Sequence, residues 1–183
     1  MPSAADPKVA ERYPRSVALL HWLIAALILV LIALGWFMAD IPKGTPARAY
    51  YFNLHKSLGL IAALGIAGFI GWRWRHAPPP PPRLARWEAR IMAPARVLMY
   101  LLLVVVPVSG YVEANFSPYG IRFFGLPLPP WGPDDKRLYF LFNRMHVYSA
   151  DAFAALLALH AGAALKHWLV NRDRILQRML PFG

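Results

Sequence analysis

Polar and apolar positions along this chain segregate into long blocks rather than short periods. Residues 16–39 read SVALLHWLIAALILVLIALGWFMA, with no charged side chain among them. A second block, 50–72, contains LHKSLGLIAALGIAGFIGW, and a third, 91–112, contains VLMYLLLVVVPVSGYV. The fourth, 143–170, carries HVYSADAFAALLALH and continues through AGAALKHW. Each is long enough to meet the roughly 20 apolar residues that a helix needs to cross a hydrocarbon core. The blocks predict an all-α integral membrane protein, one membrane domain over 1–183 in which four transmembrane helices form a bundle. The first block outruns the apolar region of a signal peptide, about 7–15 residues, and reads as a retained helix.

The connections differ in kind. The loop 73–90 holds five consecutive prolines, Pro78 to Pro82, the pattern of a stiff polyproline II spacer. The loop 113–142 is rich in Pro, Phe, Tyr and Trp, which predicts a cap on the opposite membrane interface with a short helix starting near Asp134.

Composition sharpens the class. Charged residues make up 16% of the chain, against about a quarter in soluble domains. The absence of cysteine excludes disulfides, thiolate zinc sites, iron–sulfur ligation and cysteine nucleophiles. The net charge of +11 comes from basic residues flanking apolar blocks. That placement is a topology signal, and no nucleic-acid partner is expected. The N-terminus, the loop 73–90 with its flanks and the C-terminal tail hold thirteen Lys and Arg, against seven on the other side. Both termini are therefore expected to be cytoplasmic.

Histidine within a membrane span is costly and usually faces the bundle interior. His146 and His160 lie fourteen residues apart on the fourth block. At about 100° per residue this interval falls roughly 40° short of four turns, so both rings leave one helix face, roughly 21 Å apart along the axis. His21 lies near the cytoplasmic start of the first block, at the depth of His160. His55 lies near the outer start of the second, at the depth of His146. Two pairs at two depths is the simplest arrangement. A zinc ion needs three or four protein ligands, whereas haem iron needs only two axial ones. Without a C-x-x-C-H attachment sequence any haem is non-covalent. Two haem b groups, one on each pair, fit the count and the depths. Small residues near the ligands, such as Gly59, Gly65, Gly68 and Ala161 to Ala164, would leave room for a macrocycle or allow close helix packing.

Five segments together resemble the bacterial cytochrome b-561 family, whose characterised members include a superoxide oxidase. They are RYPRSVALLHW, LHKSLG, YLLLVVVPVSGY, RMHVYSADAFAALLALHAGAALKHW and NRDRILQRMLP, spanning about Arg12 to Pro181. Many relatives carry a histidine where this chain has ARIMAPAR. The resemblance implies a bacterial cytoplasmic membrane protein with axial ligands at His21, His55, His146 and His160. It further implies oxidation of superoxide at the outer face and ubiquinone as the membrane-soluble acceptor.

On that reading, Lys56 and Arg144, with Arg48 and Arg137 nearby, are candidates for steering a small anion, or for pairing with haem propionates and lipid phosphates. His167, on the ligand face seven residues after His160, is a candidate quinone partner together with Trp22 and Trp168. The alternative is an interfacial histidine among belt tryptophans. His76 is expected to be solvated, and Asp151 to relay protons or to hydrogen-bond within the bundle. A second function remains open: an electron-transfer subunit serving a separate dehydrogenase or hydrogenase as redox partner protein.

Overall fold

The computed structural model describes residues 12–76, 79–80 and 84–181. Four long helices dominate: α1 (Arg15–Ala39), α2 (Pro46–Arg75), α3 (Arg86–Asn115) and α4 (Lys136–Lys166). All four are long and apolar enough to cross a membrane. The protein is a multi-pass membrane protein with four spans.

Local chemistry sets where these helices begin. Thr45 precedes Pro46, and its hydroxyl accepts the Arg48 N–H at 3.3 Å, so α2 starts with a side-chain cap and a proline at its first position. The Asp135 carboxylate accepts the N–H groups of Arg137 and Leu138 at 2.8 and 3.1 Å. That cap launches α4 at Lys136, so the short helix expected near Asp134 is the first part of α4 itself. Its apolar block begins only at 143 because the opening turns carry Lys136 and Arg137 among their apolar residues. At the start of α3 the Glu88 carboxylate accepts the Ala85 N–H at 3.0 Å, satisfying one of the donors a helix start leaves free. Pro94 and Pro107 lie inside α3 without ending it, as neighbouring helices in a bundle permit.

The helices pack as two antiparallel pairs, α1 on α2 and α3 on α4, joined by contact between α2 and α3. The core is thin: Val17, Ile24 and Ile28 of α1 meet Ala62, Ile66 and Phe69 of α2, Leu102 and Leu103 of α3, and Phe153 of α4. Large apolar side chains such as Leu23, Leu64 and Leu159 are left exposed, the pattern of helices whose outer faces meet lipid.

Between α3 and α4 the outer loop forms a small hairpin, β1 (Ile121–Phe123) paired antiparallel with β2 (Leu126–Leu128). Its two turn residues, Phe124 and Gly125, both have positive φ, 47° and 95°, as a tight hairpin turn demands. Ser57 of α2, fully buried, secures it: its hydroxyl accepts the Phe124 N–H at 2.9 Å and lies 3.1 Å from the Arg122 carbonyl. The sequence reading anticipated a cap here but no strands. At the other membrane face α4 passes into a π-helical turn, His167–Asn171, and the chain then reverses at Arg172 (φ 52°). Most of the run from Pro78 to Pro82 lies outside the described residues; Pro80 supplies a carbonyl that accepts from Arg178.

Candidate functional site

Helix α4 carries two histidines on one face, and a different helix meets each. His55 of α2 faces His146 with ring centres 6.1 Å apart and planes at 87°. His21 of α1 faces His160 with centres 6.5 Å apart and planes at 60°. The fourteen-residue interval thus places two imidazole pairs at two levels, as the helical count requires.

The spacing within each pair can be compared with that of two ligands sharing a metal ion. A metal–nitrogen bond is about 2 Å, and an imidazole centre lies about 1 Å behind its nitrogen. Two imidazoles on opposite sides of one ion therefore have centres roughly 6 Å apart, the separation seen in both pairs. No cluster of three or more His, Asp or Glu able to hold a metal occurs among the described residues. A protein-only zinc site is thereby disfavoured, and a metal whose remaining ligands come from a macrocycle fits the donor set.

The rings are oriented by their surroundings. His146 Nδ1 lies 2.9 Å from the Val106 carbonyl of α3. A carbonyl can only accept, so Nδ1 carries the hydrogen and Nε2 keeps its lone pair for a metal. This contact is the outer-sphere hydrogen bond that metal-bound histidines habitually make. It depends on Gly110, where a Cβ would stand 2.8 Å from His146 Nδ1. His55 rests in the same way on α1, its Cε1 3.5 Å from the Cβ position of Gly35. The Nδ1 atoms of His55 and His21 are buried without a hydrogen-bond partner. Burial of an unpaired polar atom costs stability, and metal coordination through the other ring nitrogen is an interaction that would offset it.

Gly35 and Gly110 were not among the small residues picked out in the sequence. Of those that were, Gly65 packs on Ile24, while Gly59 and Gly68 have no atom within 4 Å of a Cβ position. The glycine inside VPVSGY was the available signal, since a glycine within a helix often marks close approach by a neighbour.

At the outer level, Lys56 donates to the Gly120 carbonyl at 2.7 Å and is half-buried. Arg144 is exposed and makes no hydrogen bond or ion pair among the described residues. Arg48 gathers the carbonyls of Met38, Ala39 and Ile41 at the end of α1 and covers the Phe52 ring. Arg137 is exposed on the first turn of α4. Glu113 accepts from Asn143 at 2.9 Å, joining α3 to α4. Asp151 accepts from the Trp36 indole at 3.2 Å, a link from α4 to α1.

At the inner level, His167 is buried. Its Nδ1 lies 2.6 Å from an Asp173 oxygen and 3.0 Å from the Asn171 amide, and its Nε2 lies 3.8 Å from Glu88. Glu88 also pairs with Lys166. The nest forms where the π-helical turn ends: Asn171, one turn on, and Asp173, returned by the reversal at Arg172, both reach the ring Nδ1. The Trp22 indole meets the His21 ring edge-on at 5.4 Å and donates to the Met179 carbonyl at 2.8 Å. The backbone N–H of Tyr13 donates to the Arg178 carbonyl at 3.1 Å. The tail is thus strapped across the inner end of α1. Trp168 stays half-exposed. His76, exposed, stacks on Trp72 with ring centres 4.3 Å apart.

Residues 12–182 match the family described as "Prokaryotic cytochrome b561". "Cytochrome b561 homolog 2" of Escherichia coli (strain K12) is 30% identical over 174 residues, covering 93% of this chain and 92% of that protein. "Cytochrome b561 homolog 1" of the same organism is 24% identical, covering 93% and 98%. "Probable superoxide oxidase CybB" of Yersinia pestis is 29% identical over 168 residues, covering 88% and 92%. The chain belongs to the prokaryotic cytochrome b561 family, a membership that implies haem b cofactors and membrane electron transfer.

Proposed function

For this member of the prokaryotic cytochrome b561 family, we propose a superoxide:ubiquinone oxidoreductase. It oxidises superoxide to oxygen at the outer face of the cytoplasmic membrane and delivers the electrons to ubiquinone, with both termini cytoplasmic. The balance is two superoxide, one quinone and two protons giving two oxygen and one quinol. The observation that carries the reading is the pairing of His55 with His146 and of His21 with His160 at two depths on α4. Each pair holds one haem b, which when bound supplies a reversible one-electron carrier at that depth.

The chain's own groups account for the rest. Four histidines fix the cofactors, and Val106 and Gly110 fix the tautomer and seat of His146. Arg144, exposed and unpaired among the described residues, is the cation placed to steer a small anion towards the outer level. Lys56, engaged with Gly120, contributes its charge while tying down the outer loop. At the inner level His167, Trp168 and Trp22, which holds the strapped tail, are assigned to the quinone site. The carboxylates of Glu88 and Asp173 flank His167 and lie where protons for quinol formation must enter.

Stopped-flow mixing of the oxidised, haem-loaded protein with superoxide and a soluble ubiquinone analogue tests this. Rapid haem reduction followed by quinol formation is expected. Absence of fast reduction would overturn the assignment in favour of an electron-transfer subunit fed by a dehydrogenase or hydrogenase.

A further inference from the structure

The face of α2 turned away from the histidine pairs changes character half-way along the helix. In its outer half, Ser57 is covered by the β1–β2 hairpin. In its inner half, Leu64, Gly68, Gly71 and Arg75 follow at steps of four, three and four residues, forming one stripe of the helix. At about 100° per residue this stripe lies roughly opposite His55, Ala62, Ile66 and Phe69, the residues that face the bundle. No atom stands within 4 Å of a Cβ position at Gly68 or Gly71. The result is a groove of about 520 Å³ lined by Gly68, Gly71, Trp72, Trp74, Arg75 and His76.

Its walls and mouth are chemically distinct. The His76 ring lies flat on Trp72, and its Nδ1 bonds the Trp72 carbonyl at 3.0 Å, so one wall is fixed. Arg75 is exposed, makes no hydrogen bond or ion pair among the described residues, and has no acidic neighbour lining the groove. Gly68 and Arg75 are seven residues apart, about 10 Å along the axis, so a headgroup held at Arg75 leaves room for a chain to follow the glycines. The exposed Trp72 and Trp74 line the groove with Arg75, and tryptophan is favoured at membrane interfaces.

We propose that this groove binds one anionic phospholipid, its phosphate on the Arg75 guanidinium and an acyl chain along Gly68 and Gly71. A guanidinium matches phosphate geometry and charge, and basic sites on the cytoplasmic side suit anionic headgroups. A second copy of the chain is the less favourable occupant. Copies in one membrane share an orientation, so a symmetric pair crossing at the glycines would set two Arg75 side chains together with no acidic residue in the groove to neutralise them.

The test is native mass spectrometry of the haem-loaded full chain, delipidated in detergent and titrated with phosphatidylglycerol or phosphatidylcholine of matched chains. One phosphatidylglycerol per chain should survive activation that strips phosphatidylcholine. Arg75→Gln should reduce its retention about fivefold. Gly71→Leu, which fills the groove and keeps the charge, should reduce it at least as much. Unchanged haem content in both variants would show that the fold is intact. Equal retention of the two lipids, retention unchanged in either variant, or a dimer abolished by Gly71→Leu would overturn the proposal.

Discussion

The two histidine pairs each take one member from α4, yet they are seated differently. The outer rings rest on the backbones of neighbouring helices, His55 at Gly35 and His146 at Gly110, and a carbonyl fixes the His146 tautomer. Beside them, Ser57 and Lys56 pin the hairpin loop to α2. The inner pair has no such seat. His21 leans on Trp22, which is held by the C-terminal strap, and the nearby charges form a separate nest around His167. The outer level is built from close backbone approach, the inner level from side chains and a tail that can be exchanged. Under the proposed function, the close backbone contacts lie at the level assigned to the anion and the side-chain contacts at the level assigned to the quinone.

Substitutions that damage one level and spare the other probe this contrast. Gly110→Ala should have the largest effect, because its Cβ would stand 2.8 Å from His146 Nδ1 and break the Val106 hydrogen bond. With overpacking costs of about 1–3 kcal/mol, at least half of the outer haem should be lost during purification. Retained stoichiometry would show that the glycine seat does not matter. Ser57→Ala leaves the part-buried Phe124 N–H without its acceptor, a cost of about 1 kcal/mol. Faster hydrogen exchange confined to 116–130 is expected, with the inner level unaffected. Trp22→Phe keeps an aromatic edge on His21 but removes the bond to Met179, about 1 kcal/mol. Proteolysis of the tail after Asn171 should accelerate while the outer haem spectrum stays constant. Gly35→Ala should do least, within about 0.5 kcal/mol, because its Cβ meets His55 at ordinary contact distance. An effect as large as that of Gly110→Ala would erase the difference between the two seats.

The helices and the pairing levels were legible because both follow from a fixed rise and turn per residue. Residues 146 and 160 must share a face wherever α4 sits. The seats were not legible, because which glycine meets which ring depends on how α1 packs on α2 and α3 on α4. Gly110, inside VPVSGY, signals a close approach without naming the ring that makes it, and nothing sets Gly35 apart from the other glycines of the membrane helices. The hairpin was hidden for a local reason: its turn uses Phe124-Gly125 in place of the Asn-Gly or Asp-Gly pairs that announce such turns, and Ser57, distant in sequence, supplies the hydrogen bond that holds it. The surroundings of His167 were hidden because the chain reverses at Arg172 (φ 52°) and returns Asp173 to the ring, a contact that helical counting does not foresee. The early start of α4 is the counter-example. Asp135 is a recognisable cap, so the helix starts seven residues before its apolar run does.

Two independent histidine pairs, each proposed to hold one haem, are the centre of the proposed function. Haem stoichiometry in the intact protein and in His146→Ala and His160→Ala tests that claim most directly. Two non-covalent b-type haems per chain are predicted, falling to one in each variant, with different residual spectra because different levels survive. A protein without haem, or loss of both haems in both variants, would contradict it.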